Sequence, residues 1–214
     1  MDDPISAAIR AALRRMAPRT VPEWRGLRRA WSQQLRSHTA QQVLRIAMGL
    51  VDHGPWARLT AYELLACHPG GIGVLTATSI RRLGRGLADW GSVDAFACYL
   101  AGPAWREGQL PTLQLLTWLR SKDRWQRRTA VVCTVALNVR ARGGRGEVAR
   151  TLAICRHVVR DHDDMVVKAL SWALRSVVEW DRAAVSGFLR EHQHVLAGRV
   201  KREVASKLRT GRKN

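Results

Sequence analysis

The chain has 214 residues, 46% of them hydrophobic, and carries 36 Lys and Arg against 17 Asp and Glu for a net charge of +19. It is too apolar for a disordered chain and long enough for a sizeable core, and it has no apolar run approaching the roughly 18–20 residues that cross a bilayer. Met1 to Arg15 alternates Ala and Ile with Arg, so neither a secretory leader nor a membrane partner is expected, and a cytoplasmic protein is.

Apolar residues recur at helical spacing from end to end. They predict helices over 3–16, 22–36, 39–52, 56–67, 75–87, 90–101, 111–121, 123–140, 145–159, 163–179, 181–194 and 196–209. Asp89, Asp123, Asp163 and Asp181 are placed as N-caps, while Gly54-Pro55, Pro69-Gly70-Gly71 and Gly143-Gly144 read as breaks. With only two Tyr and two Phe, strand signals are weak. The helix starts at Asp123 and Asp163 are 40 residues apart, close to the roughly 40–47 of a HEAT-type repeat. The expected fold is all-α: one domain over 1–214, an α-solenoid of degenerate HEAT-like repeats with a concave basic face. A compact helical bundle is the rival. A basic tail is expected to fray over about 210–214.

The cysteines, Cys67, Cys98, Cys133 and Cys155, form no C-x-x-C pair and have apolar flanks, so they read as reduced core thiols. His192 and His194 lie two apart, and His162 adjoins Asp163 and Asp164, so no metal or other cofactor is expected.

Charge points to the partner. Residues 1–107 carry +6 and residues 108–214 carry +13, and Arg outnumbers Lys by 31 to 5. A guanidinium fork matches phosphate oxygens, so a polyanion is implied. A compositional bias towards Arg accounts for the choice of Arg over Lys but not for the net charge.

Side-chain direction then selects residues. In the 163–179 helix, Val166, Leu170, Ala173, Leu174 and Val177 share the core arc, and Trp172 falls about 130° from its centre at 100° per residue. Lys168 and Arg175 bracket Trp172. The arrangement suits either packing against a neighbouring repeat or a surface that tracks a nucleic-acid backbone. In the 123–140 helix, Trp125, Thr129, Val132, Cys133 and Ala136 share a face. Arg124, Arg127 and Arg128 fan out beside it, either as a solvated face or as phosphate contacts. In the 90–101 helix, Val93, Phe96, Ala97 and Leu100 point inward, and Trp90 and Asp94 stack at i and i+4. Asp94 would repel phosphate. It is either an ordinary paired carboxylate or a group that stabilises a developing cation.

Three stretches together resemble the AlkD-like DNA alkylation repair family of HEAT-like-repeat DNA glycosylases. They are Trp90-Gly-Ser-Val-Asp94, Asp123-Arg-Trp-Gln-Arg-Arg-Thr-Ala-Val131, and Lys168-Ala-Leu-Ser-Trp172-Ala-Leu-Arg175 followed by Val200-Lys-Arg-Glu203. The resemblance covers about residues 22–209. It departs ahead of the first repeats, where Thr20-Val-Pro-Glu23 stands in place of the family's entry loop. It implies that Asp94 is catalytic, with Trp90 and Trp172 beside it, and that Arg128 contacts DNA. Arg124, Arg127, Lys168, Arg175, Lys201 and Arg202 are placed on the same DNA-binding surface. The implied activity is monofunctional hydrolysis of the N-glycosidic bond of cationic N3- or N7-alkylated purines in duplex DNA, without base flipping, by a monomer associated with the nucleoid. The alternatives are a non-catalytic HEAT-like module that clamps damaged or branched DNA, and a protein-interaction solenoid with an incidental basic surface.

Overall fold

A computed structural model describes residues 3–16 and 20–212 of the chain, and among them every regular element is helical. The first half holds α1 (Pro4–Arg15), α2 (Val21–Gln34), α3 (Ala40–Met48), α4 (Pro55–Cys67), α5 (Ala77–Leu83), α6 (Trp90–Phe96) and α7 (Gly102–Arg106). The second half holds α8 (Thr112–Leu119), α9 (Arg124–Cys133), α10 (Val135–Asn138), α11 (Val148–Arg156), α12 (Asp164–Val177), α13 (Arg182–Glu191) and α14 (Gly198–Thr210).

Local chemistry sets the starts. Thr20 with Glu23, Thr39 with Gln42 and Thr76 with Ser79 form reciprocal capping boxes at α2, α3 and α5. Asp89, Asp123, Asp163 and Asp181 each accept a backbone N–H at the start of α6, α9, α12 and α13, as their placement in the sequence implied. Glycine sets some of the ends: Gly211 takes a left-handed φ of 69° after α14. Residues 213–214, the last of the expected frayed tail, lie outside the described residues; Lys201 to Thr210 is helix.

Several boundaries differ from the pattern reading. The helix expected over 39–52 stops at Met48, where Gly49 lies under Ser6 of α1. The one expected over 123–140 divides at Thr134, whose hydroxyl donates to the Val131 carbonyl. That expected over 90–101 instead continues to Arg106 through a π turn, Ala97–Ala101. Pro103 explains the turn. A proline inside a helix lacks an N–H and crowds the preceding turn, and a wider turn relieves both problems. Gly102 beside it allows the close crossing: a Cβ there would stand 2.7 Å from Ala136 Cβ and from the Cys133 carbonyl oxygen. Gly102→Ala is therefore expected to destabilise the protein by about 1–3 kcal/mol through overpacking. Urea unfolding checks this, and an unchanged midpoint would mean the crossing is looser than it stands here.

Packing is sequential. Helix α4 packs on α6, α6 on α9, α9 on α12 and α12 on α14, while α3, α8 and α11 lie against α4, α9 and α12. The buried core runs through all of them, from Ile9 to Val204. Side-chain bonds tie elements that are distant in sequence. Trp24 Nε1 donates to Thr60 Oγ1 36 residues on, Trp180 Nε1 to the Asn138 carbonyl 42 back, and Arg150 to the Trp105 carbonyl 45 back. Cys98, Cys133 and Cys155 are buried free thiols, whereas Cys67 is exposed at the end of α4, a departure from the expected core role.

Candidate nucleic-acid interface and active site

The faces assigned from sequence hold. Val93, Phe96, Ala97 and Leu100 are buried under α6 and its π extension, and Val166, Leu170, Ala173, Leu174 and Val177 under α12. Trp90 and Asp94 are left on the outer side of α6. Trp90 is 63% exposed, and Asp94 sits one turn on with its side chain 18% exposed.

Asp94 is held by Arg128. Arg128 Nε donates to Asp94 Oδ1 at 2.9 Å and Nη2 to Oδ2 at 2.8 Å, a two-point fork across α9 and α6. Nη1 donates to the Met165 carbonyl at the start of α12. Arg128 is 5% exposed. Its five N–H groups leave one hydrogen on each terminal nitrogen beyond these bonds. One buried arginine thus joins α6, α9 and α12 and fixes the carboxylate.

Burial pushes the Asp94 carboxyl above the ordinary aspartate value of 3.8, against the opposing pull of Arg128 and Arg142. The folded chain therefore holds this proton more tightly than the unfolded one. The stability owed to this group is complete below pH 3.8 and falls as pH rises through the higher folded value. Denaturant titrations across that window, wild type minus Asp94→Asn, are expected to show stability falling with pH. A difference that rises with pH would reverse the sign and reject the raised value.

The other cations of α9 are also paired. Arg127 Nε reaches Asp161 at 2.6 Å, and Arg124 Nε reaches Asp163 at 3.3 Å. Arg128 thus ties α9 to α6, while Arg127 and Arg124 face carboxylates in the segment that leads into α12. Arg124 remains 55% exposed at its side chain and Arg127 19%. Asp163 thus serves both as the cap of α12 and as the partner of Arg124.

Trp172 is half-buried and packs against the core. It lies seven residues after Met165 on α12, and so on the same side of that helix, two turns from where Arg128 docks. Lys168, bracketing Trp172, pairs with Asp164 at 2.6 Å and holds that carboxyl below its usual range. Arg175 turns towards α14, with Nη2 3.5 Å from Glu203, which also accepts from Ser171 Oγ at 2.6 Å. Lys201 and Arg202 are exposed on the first turns of α14, where Lys201 Nζ donates to the Gln193 carbonyl. The structure thus brings Asp94 and Arg128 into contact and places Trp90 one turn away. Arg124, Arg127, Lys168 and Arg175 each face a carboxylate.

Two cavities flank α6. One of about 400 Å³ is walled by Phe96, Trp118, Trp125 and Thr129, and one of about 200 Å³ by Trp56, Leu59, Gly91 and Ala95. Neither is lined by Trp90, Asp94 or Trp172. Among the described residues no group of three His, Cys, Asp or Glu is placed to hold a metal ion, and no helix is long and apolar enough to cross a membrane.

Compared with known proteins, residues 13–208 match the family model of the DNA alkylation repair enzymes. No curated protein and no solved structure matches the chain.

Proposed function

The chain belongs to the DNA alkylation repair enzyme family, and from that premise we propose that it is a monofunctional DNA glycosylase. Its substrates are cationic N3- and N7-alkylated purines in duplex DNA. The observation that carries the reading is the Asp94 carboxylate, fixed by the Arg128 fork at the foot of an exposed Trp90.

Such a lesion already carries a positive charge, so the base leaves as a neutral molecule without an acid to protonate it. The C1′–N bond breaks, its electron pair goes to the base, and the positive charge passes to the deoxyribose. Water then adds at C1′ and gives up a proton. A preorganised carboxylate lowers the energy of the sugar cation, because it needs no reorganisation as the charge develops. Trp90 and Trp172 offer ring faces, which attract cations. Arg128 aligns the carboxylate and offers its remaining N–H groups to a backbone phosphate. Arg124 and Lys168, with Lys201 and Arg202 beyond, extend the electrostatic surface along the strand. The reading requires no enclosed base-sized cavity at Asp94, which fits a lesion left in the stack.

The sequential packing of α4, α6, α9, α12 and α14 supports a solenoid of HEAT-like repeats. In such an array each unit touches only its neighbours. A concave basic face, a monomeric state and a location on the nucleoid complete the proposal.

A second reading has its own observation. Both Asp94 oxygens are occupied by Arg128, as in a structural ion pair, and this favours a non-catalytic clamp on damaged DNA. The test is incubation with a duplex carrying one N7-methylguanine, followed by alkali and measurement of strand breakage, repeated with N3-methyladenine. Base release supports the glycosylase. Tight, salt-sensitive binding without release of either base supports the clamp.

A further inference from the structure

The cations of α9 and α12 face carboxylates, and a run of unpaired charge lies instead where the chain enters the packed row of helices. Four segments lead into the last four helices of that row: 84–89 into α6, 120–123 into α9, 157–163 into α12 and 192–197 into α14. They adjoin one another in order. Arg85 and Gly86 of the first and Asp123 of the second line the same cavity of about 400 Å³. Arg127 Nη1 donates to the carbonyls of Ser121 and Lys122 at 3.0 and 2.9 Å, and its Nε to Asp161 of the third segment at 2.6 Å. Arg156, just before the third, lies 3.6 Å from Glu191, just before the fourth. The entry segments therefore form one continuous edge.

Arg85, Arg120, Lys122, Arg160 and Arg190 stand on this edge. All five are exposed, and none of their side chains has a hydrogen bond, ion pair or ring contact among the described residues. The neighbouring carboxylates are already engaged. Asp89 and Asp123 cap α6 and α9, Asp161 and Asp163 meet Arg127 and Arg124, and Glu191 meets Arg156. The opposite edge, where the chain leaves the row, is built the other way. There Arg140 lies over the Trp180 ring at 4.2 Å, Arg142 over the Tyr99 ring at 4.7 Å, and Arg145 Nη2 reaches Glu107 at 3.2 Å. Arg182, at the start of α13, donates to the Leu208 carbonyl. The turns of one edge thus hold their cations on rings, carboxylates and carbonyls, and those of the other leave theirs to solvent. A bias in composition alone would not distinguish the two.

Asp94 lies beside the open edge. It stands four residues into α6, roughly 6 Å along the axis at 1.5 Å per residue, and the Arg128 that holds it docks on Met165 in the first turn of α12. We propose that Arg85, Arg120, Lys122, Arg160 and Arg190 form a phosphate track, which holds one backbone of the duplex along this edge while the lesion lies at Asp94. A DNA backbone repeats its charge along its length, and cations on successive turns match that repetition, whereas a compact anion would occupy one turn only. Contacts of this kind fix register and orientation without reading sequence. The inference rests on the DNA-repair reading above and adds to it a surface outside the residues of α9, α12 and α14.

The test is equilibrium binding of an unmodified duplex over a range of salt. Two paired variants probe the track: Arg120→Gln with Lys122→Gln, and Arg85→Gln with Arg160→Gln. Arg145→Gln with Arg182→Gln removes the same charge from the opposite edge. Each lost phosphate contact lowers the slope of log affinity against log salt by about 0.9. Both track pairs are expected to lower it by about twice that and to weaken binding alike for every sequence, while the control pair keeps the wild-type slope. Thermal unfolding checks that each variant is folded, and should a pair fail to fold, its two single variants each give half the effect. Unaltered slopes in folded track variants, with the wild type still steep, overturn the track alone. So does an equal loss in the control pair, which would make the effect one of total charge. Wild-type binding that ignores salt overturns the DNA reading itself.

Discussion

Asp94→Asn is expected to lose base release by about 10²–10³-fold, while duplex binding and folding persist. The magnitude follows from removing one preorganised electrostatic group aimed at a developing charge. Asparagine keeps the shape and one acceptor for the Arg128 fork but carries no net charge, and its amide group opposes the second guanidinium N–H. The sugar cation then faces a neutral group. The readout is single-turnover release of N7-methylguanine, so that product dissociation does not mask the chemical step. DNA affinity measured in parallel is expected to stay equal or rise, because a repulsive carboxylate has gone from a cationic surface. Release at the wild-type rate would remove Asp94 from the chemistry and leave it as the structural partner of Arg128.

The sequence carries the starts of the helices well because a start is a local event. Asp123 and Asp163 need only a backbone N–H two residues away. The apolar faces of α6 and α12 are equally local, since periodicity alone places Val93 and Leu170 inward. The site is legible only in part. Trp90 and Asp94 share a helix, and their stacking follows from spacing. The Arg128 fork joins residues 34 apart, as does the tie from Arg127 to Asp161, and no pattern within one helix reports which carboxylate an arginine will meet. For the same reason Arg124 and Arg127 look alike in sequence yet differ in exposure, 55% against 19%. The π turn ahead of Pro103 was signalled by the proline itself. A proline normally ends a helix, and here the packing of α6 and α7 on α9 and α10 carries the helix past it.

Arg128→Ala is expected to cost about 3–5 kcal/mol of stability, the range for stranding one partner of a buried ion pair. Three effects add. Asp94 keeps its burial and loses the guanidinium that opposes it, the Met165 carbonyl loses its donor, and a cavity opens among α6, α9 and α12. The Asp94 carboxyl should then rise further above 3.8, because burial acts with less opposition. The loss is therefore expected to be largest at neutral pH and to shrink on acidification as the stranded carboxylate takes up a proton. Arg128→Met strands Asp94 in the same way, and Arg128→Met combined with Asp94→Asn should recover most of that loss, the cycle being closed with Arg128→Met and Asp94→Asn as its single variants. Removing both charges leaves no uncompensated ion, whereas removing one does. Guanidinium chloride unfolding of the single and double variants, at neutral and acidic pH, measures the coupling directly. A double variant whose loss equals the sum of the two single losses would show that the fork does not couple these residues, and with that the physical basis for Arg128 as the aligner of Asp94 would be gone.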